Sequence, residues 1–394
     1  MQPLADFLSR VSPPQTPALV IRRAALGANL AALQSACDAA GVRLRAHGKM
    51  HKCSTLGRLQ VAGGAVGLCC QTVGEAETYV AGGIGDVLVT APVPRWGWPR
   101  LAALTGRATV AAVVDSAAQV AAAAGSGLTL LVDIDLGQHR AGVVPAAALA
   151  LAQLIAATPG VRFGGIQAYC GHIQHIADMA ARRAAHAAAS ARLAAVVAEF
   201  TAAGLAPPVV TGGGTGTSAL DLAGGVYGEI QAGSYALMDV EYGECDAPAG
   251  ECDGPAGDWP FQPALFLASS IVSARHRAFV TCDAGLKALY TDGPAPRVIA
   301  GAAPGSRWRS QGDEHGAIIH PDFDDRLRRA TDPVAMVDTI DTEPAPKGAP
   351  AEGALVWLQP GHVDPTVALH DAYWVADEDG HLERWPIDAR RISA

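Results

Sequence analysis

The sequence predicts an α/β fold: a (β/α)8 TIM-type barrel with a C-terminal β-rich domain. Three observations carry this. Between about residues 40 and 235, a short β-branched apolar run, a polar or glycine-containing turn and a longer Ala/Leu segment of helical period recur eight times. Polar residues gather after most of the apolar runs, where a barrel displays its chemistry, and not at the single switch point of the rival doubly wound sheet. After about residue 243 the texture changes to Gly, Pro and acidic residues and then to short strand-like runs with little helical periodicity.

Taken in order, the barrel strands are expected at 42–47, 65–70, 86–90, 109–115, 130–135, 163–169, 208–213 and 228–233. Helical segments lie between them. The one over 75–83 has Thr72 and Glu75 in the spacing of a capping box, and the one over 146–157 ends at Thr, Pro and Gly. The barrel should occupy 26–243 and the β-rich domain 244–394, joined by the N-terminal segment 1–25. In the second domain ALFLASSIVSA, RAFVTCD and ALVWLQP read as strands, and the Pro/Ala stretch around 343–352 reads as a loop, because an apolar strand follows at once.

Composition narrows the function classes. With 50% hydrophobic and 17% charged residues the chain should fold, and a net charge of -9 without a basic, aromatic-laced patch argues against nucleic acid. Eight cysteines, including the adjacent Cys69 and Cys70, are scattered through apolar segments, as suits a reduced cytoplasm. The start MQPLADFLSRVSPPQTP lacks the basic and apolar regions of a signal peptide, and the apolar helices fall short of the ~20 residues of a membrane span. A cytoplasmic protein acting on small molecules is expected.

The densest chemistry is RAHGKMHK at 45–52, where the first strand ends in two histidines and two lysines. A lysine at a barrel strand end is partly desolvated, which lowers its pKa and makes it an imine-forming amine. Composition alone slightly favours the alternative, a solvated basic turn. The run TGGGTGT at 211–217 ends the seventh strand and GSYA at 233–236 the eighth, the usual barrel position for an anion held by backbone N–H groups. Gly213, Gly214, Thr215, Gly233 and Ser234 are therefore candidate phosphate ligands. His362 and Asp364 stand two apart after an apolar run; in an extended segment both would point to one face and grip one ion.

HGKMHK, VGLCCQTVGEAE (66–77), LLVDIDLGQHRAGV (130–143), QAYCGHIQH (167–175), TGGGTG (211–216), GEIQAGSYALMD (228–239), CDAGLK (282–287), DEHG (313–316) and GHVDPT (361–366) occur in this order through almost the whole chain. Together they resemble the D-threonine aldolase and β-hydroxyaspartate aldolase family. The resemblance implies a fold-type III, alanine-racemase-like enzyme dependent on pyridoxal 5'-phosphate and a divalent metal, manganese or magnesium, and a homodimer. It implies that Lys49 forms the imine with the cofactor, that Arg140 faces the pyridine nitrogen and keeps it unprotonated, and that Tyr169 stands beside the cofactor. It places the metal on His362 and Asp364, and His175 near the reacting hydroxyl, where it helps move a proton. Cys170 and His172 depart from the family pattern. The roles of Asp313, Glu314 and His315 stay open, and Asp283 and Lys287 are expected to support the β-rich domain.

Three functions compete: an aldolase cleaving D-3-hydroxy-α-amino acids to glycine and an aldehyde, a metal-dependent D-serine or 3-hydroxyaspartate dehydratase, and a non-catalytic cofactor carrier. Carriers resemble the barrel alone. Dehydratases of the superfamily tend to pair His with Cys, a softer set suited to zinc, whereas Asp364 is a hard oxygen donor. The expected activity is the aldolase. Methyl and carboxylate β-substituents stay open, Arg275, Arg277, Arg307, His139 and His172 being the cations that would meet a carboxylate.

Overall fold

The structure, a computed structural model, describes residues 3–247, 259–323 and 346–390. Residues 248–258 of the acidic Gly/Pro stretch and 343–345 of the expected loop lie outside them. The chain divides into two compact units. One comprises Asn29–Tyr235, Glu244–Phe261 and Asp388–Ala394, the other Met1–Ala28, Ala236–Gly243 and Gln262–Ile387.

The first strand, β1 (Ala18–Arg22), belongs to the second unit. The first unit holds β2 (Arg43–His47), β3 (Gly67–Cys70), β4 (Asp86–Val89), β5 (Thr109–Val114), β6 (Thr129–Asp133), β7 (Arg162–Ala168), β8 (Val210–Gly212) and β9 (Glu229–Ile230). Among the described residues these strands form a closed parallel barrel in sequence order, with β9 pairing back onto β2. Six of the eight expected runs contain their strand, and β6 and β7 begin one residue before theirs. β8 and β9 are short because Gly213 and Gln231–Gly233 leave the ladder to build turns at the barrel mouth. Register puts Cys69 beside Leu88, Leu88 beside Ala111 and Val113 beside Leu131, and these apolar side chains pack as one buried cluster.

At the other end of the barrel, where β4 and β9 begin, Arg45 donates from Nε to Glu229 at 2.9 Å and from Nη1 to Asp86 at 2.6 Å. Gly67 makes room for this ion cluster, since a Cβ there would lie 2.8 Å from the guanidinium. Arg45 and Glu229 are both buried, so removing one partner strands a charge. Glu229→Ala is expected to lower unfolding free energy by about 3 kcal/mol, Asp86 still pairing the arginine. Urea unfolding checks this, and a loss below about 1 kcal/mol would contradict the assigned role.

The second unit is a nine-stranded sheet among the described residues. It adds β10 (Leu265–Ser273), β11 (Phe279–Cys282), β12 (Arg297–Ala300), β13 (Arg307–Ser310), β14 (Gly316–Ile319), β15 (Leu355–Gln359), β16 (Ala372–Ala376) and β17 (Leu382–Pro386), in the order β11-β14-β13-β12-β15-β10-β1-β16-β17. The N-terminal β1 runs between antiparallel β10 and parallel β16, buried along its length. Asp283 accepts from the Ser269 and Thr16 hydroxyls and from the Ser270 N–H, bracing the exit of β11.

The units interleave along the chain more than a single division at 243/244 implies. Trp259 donates to the Cys245 carbonyl and lies 5.7 Å from the Arg182 guanidinium, which keeps the described residues of 244–261 with the barrel. Conversely, the N–H groups of Val240 and Glu241 donate to Pro360 and Gly361, which ties 236–243 to the sheet. The seven described cysteines are free and buried. No helix among the described residues is long and apolar enough to cross a membrane.

Candidate active site

β2 ends at His47 and runs into a three-residue 3-10 turn, Gly48–Met50, that carries Lys49 half-buried at the barrel mouth. Lys49, Arg140 and Tyr169, three of the residues expected at a cofactor, line one cavity of about 200 Å³ with His47, Gln71, Thr90 and Gln231. All these come from strand ends or the loops after them, the catalytic face of such a barrel. Arg140 lies 5.8 Å from the centre of the Tyr169 ring. Among the described residues the lining holds an amine and a guanidinium and no carboxylate, so it suits an anionic, carbonyl-bearing ligand.

A larger cavity, about 490 Å³, lies beside it and shares Gln71. The lysine in that wall is Lys52, whose ammonium sits 2.5 Å from the buried Glu75 carboxylate. Of the two lysines in HGKMHK, Lys49 lines the smaller cavity and Lys52 the larger one, where Glu75 holds it. Glu75 also explains the helix start. Thr72 caps helix Val73–Ala81 by accepting the Glu75 N–H, while the Glu75 carboxylate accepts the Gln71 N–H, one residue earlier than a capping box requires, and the Lys52 ammonium.

Below the cavity is a polar network that the sequence reading did not name. Gln167 donates to the Thr90 carbonyl and to Asp133, and Gln231 donates to Gln167 Oε1 and to the Thr211 hydroxyl. Burial pushes the Asp133 carboxyl up to about 6, against the opposing pull of the Gln167 hydrogen bond and the Arg140 charge. Glutamines closing otherwise apolar strands, in FGGIQAY and GEIQAG, are the signal that would have found this layer.

The expected phosphate residues form two turns. Gly213 and Gly214 lead from β8 into the 3-10 turn Thr215–Thr217, and Gly233 leads from β9 into the turn Ser234–Ala236. The Thr215 hydroxyl accepts the Tyr235 N–H at 2.9 Å and joins the two. A Cβ on Gly233 would lie 3.1 Å from the His47 carbonyl, so the second turn abuts the one carrying Lys49. These five residues lie outside the cavity's own lining. Gly213 has φ +69°, and a Cβ there would meet the Asp221 carboxylate at 2.3 Å; at Gly214 it would meet Gln174 at 2.5 Å. Both glycines thus first admit the side chains that order the turn. Gly213→Ala is expected to weaken cofactor affinity at least about tenfold through backbone strain and displacement of Asp221. Equilibrium titration of cofactor-free protein measures it.

His175 is exposed at the end of the short helix Gly171–Gln174, and the structure does not bring it into the cavity lining. His172 is also exposed, near Gly137. Asp313 and Glu314 form an exposed turn with Lys287, whose ammonium lies 2.5 Å from Glu314.

In the sheet unit, His362 and Asp364 follow β15, but the extended geometry expected for them is corrected. His362 is extended, whereas Asp364 lies in the first turn of helix Val363–Val367. Pro365 starts a helix readily, because first-turn N–H groups have no partner within it. The His362 Nδ1 is 3.1 Å from both oxygens of Asp292, which leaves Nε2 as the ring atom for a cation, the usual arrangement behind a metal-binding histidine. Asp239 accepts the Val363 N–H and fixes the start of the turn. Among the described residues no group of three or more His, Cys, Asp or Glu side chains could hold a metal ion. His362 and Asp364 are nitrogen and oxygen donors of the kind that hard divalent cations accept.

Residues 21–239 match the sequence family "Alanine racemase, N-terminal domain", and residues 264–376 match "Putative serine dehydratase domain". The chain is 39% identical to a D-threonine aldolase of Arthrobacter sp, over 98% of this chain and 95% of the relative. It is 38% identical to a 3-hydroxy-D-aspartate aldolase of Paracoccus denitrificans (strain Pd 1222), over 95% and 92%. A D-threo-3-hydroxyaspartate dehydratase of Delftia sp. (strain HT23) is more distant, at 28% over 94% and 96%. The fold of this chain is similar to the crystal structure of D-threonine aldolase from Filomicrobium marinum, with a TM-score of 0.84, 34% identity and coverage of 95% of this chain and 96% of that one.

Proposed function

Because the chain belongs to the alanine racemase N-terminal domain family, in the branch of the D-threonine and 3-hydroxy-D-aspartate aldolases, we propose that it is a pyridoxal-phosphate-dependent lyase that cleaves D-3-hydroxy-α-amino acids to glycine and an aldehyde. The observation that carries this is the cavity in which Lys49, Arg140 and Tyr169 meet at the barrel mouth.

Lys49 would bind the cofactor covalently, Arg140 would bring a permanent positive charge to the same cavity, and the turns at Gly213–Thr215 and Gly233–Ser234 would hold the phosphate. Pyridoxal phosphate, when bound, supplies the electron-accepting ring that takes up the pair released as Cα–Cβ breaks. His362 and Asp364 would hold a hard divalent cation such as manganese or magnesium, which would supply Lewis-acid activation of the β-hydroxyl. His175, exposed and outside the cavity lining, is the candidate to help move the hydroxyl proton.

The dehydratase reading finds less support. The full-length likeness is greater to the aldolases, and the second candidate ligand is a carboxylate where a thiolate would favour zinc. A cytoplasmic homodimer fits the free, buried cysteines and the family resemblance. Light scattering on active enzyme should give twice the chain mass, and a fully active monomer would contradict the dimer.

The cofactor assignment is tested by borohydride reduction of the yellow protein. Peptide mass analysis should place the reduced label on Lys49, and a label on Lys52 or Lys287 would overturn it.

A further inference from the structure

We propose that His47 and Tyr79 are positioning residues that clamp the Gly48–Lys49 peptide unit from its two ends and so set the approach of the Lys49 amine to the cofactor's aldehyde. The proposal rests on the reading of Lys49 as the cofactor's anchor. The Gly48 carbonyl accepts the Tyr79 hydroxyl at 2.8 Å, along with the N–H groups of His51 and Lys52. The N–H of the same peptide, on Lys49, donates to His47 Nδ1 at 3.3 Å. A peptide unit is planar, so holding its oxygen and its hydrogen fixes the plane and, with it, the Cα from which the lysine side chain departs. A lone 3-10 turn of three residues has poor internal hydrogen bonding and would not hold that plane by itself.

Both clamping groups are themselves held. A backbone N–H only donates, so His47 Nδ1 carries no proton and the ring is the neutral Nε2–H tautomer. Nε2 lies 3.0 Å from the Thr90 hydroxyl, which in turn lies 3.1 Å from the Cys70 carbonyl and 3.2 Å from Gln71 Oε1. Tyr79 is fully buried on the helix Val73–Ala81. The first turn of that helix carries Glu75, whose carboxylate binds Lys52, two residues beyond the Gly48–Met50 turn. Gly48 is the independent sign that ring and turn are fitted together: a Cβ there would lie 2.7 Å from three atoms of Tyr79.

The step served is a condensation. The neutral Lys49 amine attacks the aldehyde carbon, a C=N bond forms, and the carbonyl oxygen leaves with two protons as water, with no change of oxidation state. Misplacing an attacking group by about 1 Å costs on the order of 10²-fold in rate, so loss of one clamp should be visible in this step before it is visible in folding.

The test strips pyridoxal phosphate from the parent protein and from Tyr79→Phe, His47→Leu and His47→Asn. It restores the cofactor, quenches with borohydride at timed intervals and measures reduced label on Lys49 by peptide mass, with melting of each cofactor-free protein alongside. Tyr79→Phe and His47→Leu should attach cofactor about tenfold more slowly than parent. His47→Asn should stay within about twofold, because its Oδ1 accepts the same N–H as a good capping residue does. A purely structural role would lower melting and leave the rate of attachment to folded protein unchanged, and that outcome overturns the proposal. So does a His47→Asn variant as slow as His47→Leu. Should His47→Leu not fold, Tyr79→Phe, which loses one oxygen, decides. A parent protein that takes no label on Lys49 fails at the anchor itself, and the clamp falls with it.

Discussion

Lys49→Ala is expected to abolish turnover while leaving a folded protein that binds pyridoxal phosphate reversibly. The half-buried turn presents Lys49 to a cavity free of carboxylates, whereas the neighbouring Lys52 is fixed to Glu75 and cannot take over. Removal of a covalent anchor of this kind costs on the order of 10⁴-fold or more. The absorbance of the bound cofactor should revert to that of the free aldehyde, and borohydride should leave no label on the protein. A variant that keeps more than about 1% of parental glycine release would show that another amine serves.

Asp364→Ala should give the opposite pattern, with cofactor chemistry intact and bond cleavage lost. Its carboxylate and the His362 imidazole, oriented by Asp292, are the candidate cation donors in the sheet unit. Without the cation the β-hydroxyl keeps an alcohol's pKa and gives up its proton too slowly for Cα–Cβ to break. Glycine release should drop at least about 10²-fold, chelated parent enzyme should match it, and manganese should restore the parent alone. Label on Lys49 should persist in every sample. Full activity after exhaustive chelation would remove the cation from the account.

The barrel was legible because each strand is an apolar run closed by a polar or glycine turn, a pattern with one reading when it recurs eight times. Lys49 stood out as a charge at such a closure, whereas Arg140 came only from the resemblance to the family. The supporting residues were harder to see. His47, Thr90, Gln167 and Gln231 are buried and act through hydrogen bonds to residues far along the chain, and a single residue type carries no sign of its partner. Tyr79 reads as an ordinary apolar position of an amphipathic helix, and only the close approach of Gly48 shows otherwise. Asp364 was placed on an extended segment because a preceding apolar run suggests one, and the helix-starting tendency of Pro365 was given too little weight.

The central claim is that this chain breaks Cα–Cβ of D-3-hydroxy amino acids. The direct measurement is product identity. Purified protein with pyridoxal phosphate and manganese is supplied in turn with D-threonine, D-3-hydroxyaspartate and D-serine, and glycine, aldehyde, keto acid and ammonia are quantified. The account predicts glycine and an equal amount of acetaldehyde or glyoxylate, with little ammonia. Release of ammonia with pyruvate or oxaloacetate, faster than any release of glycine, would contradict it.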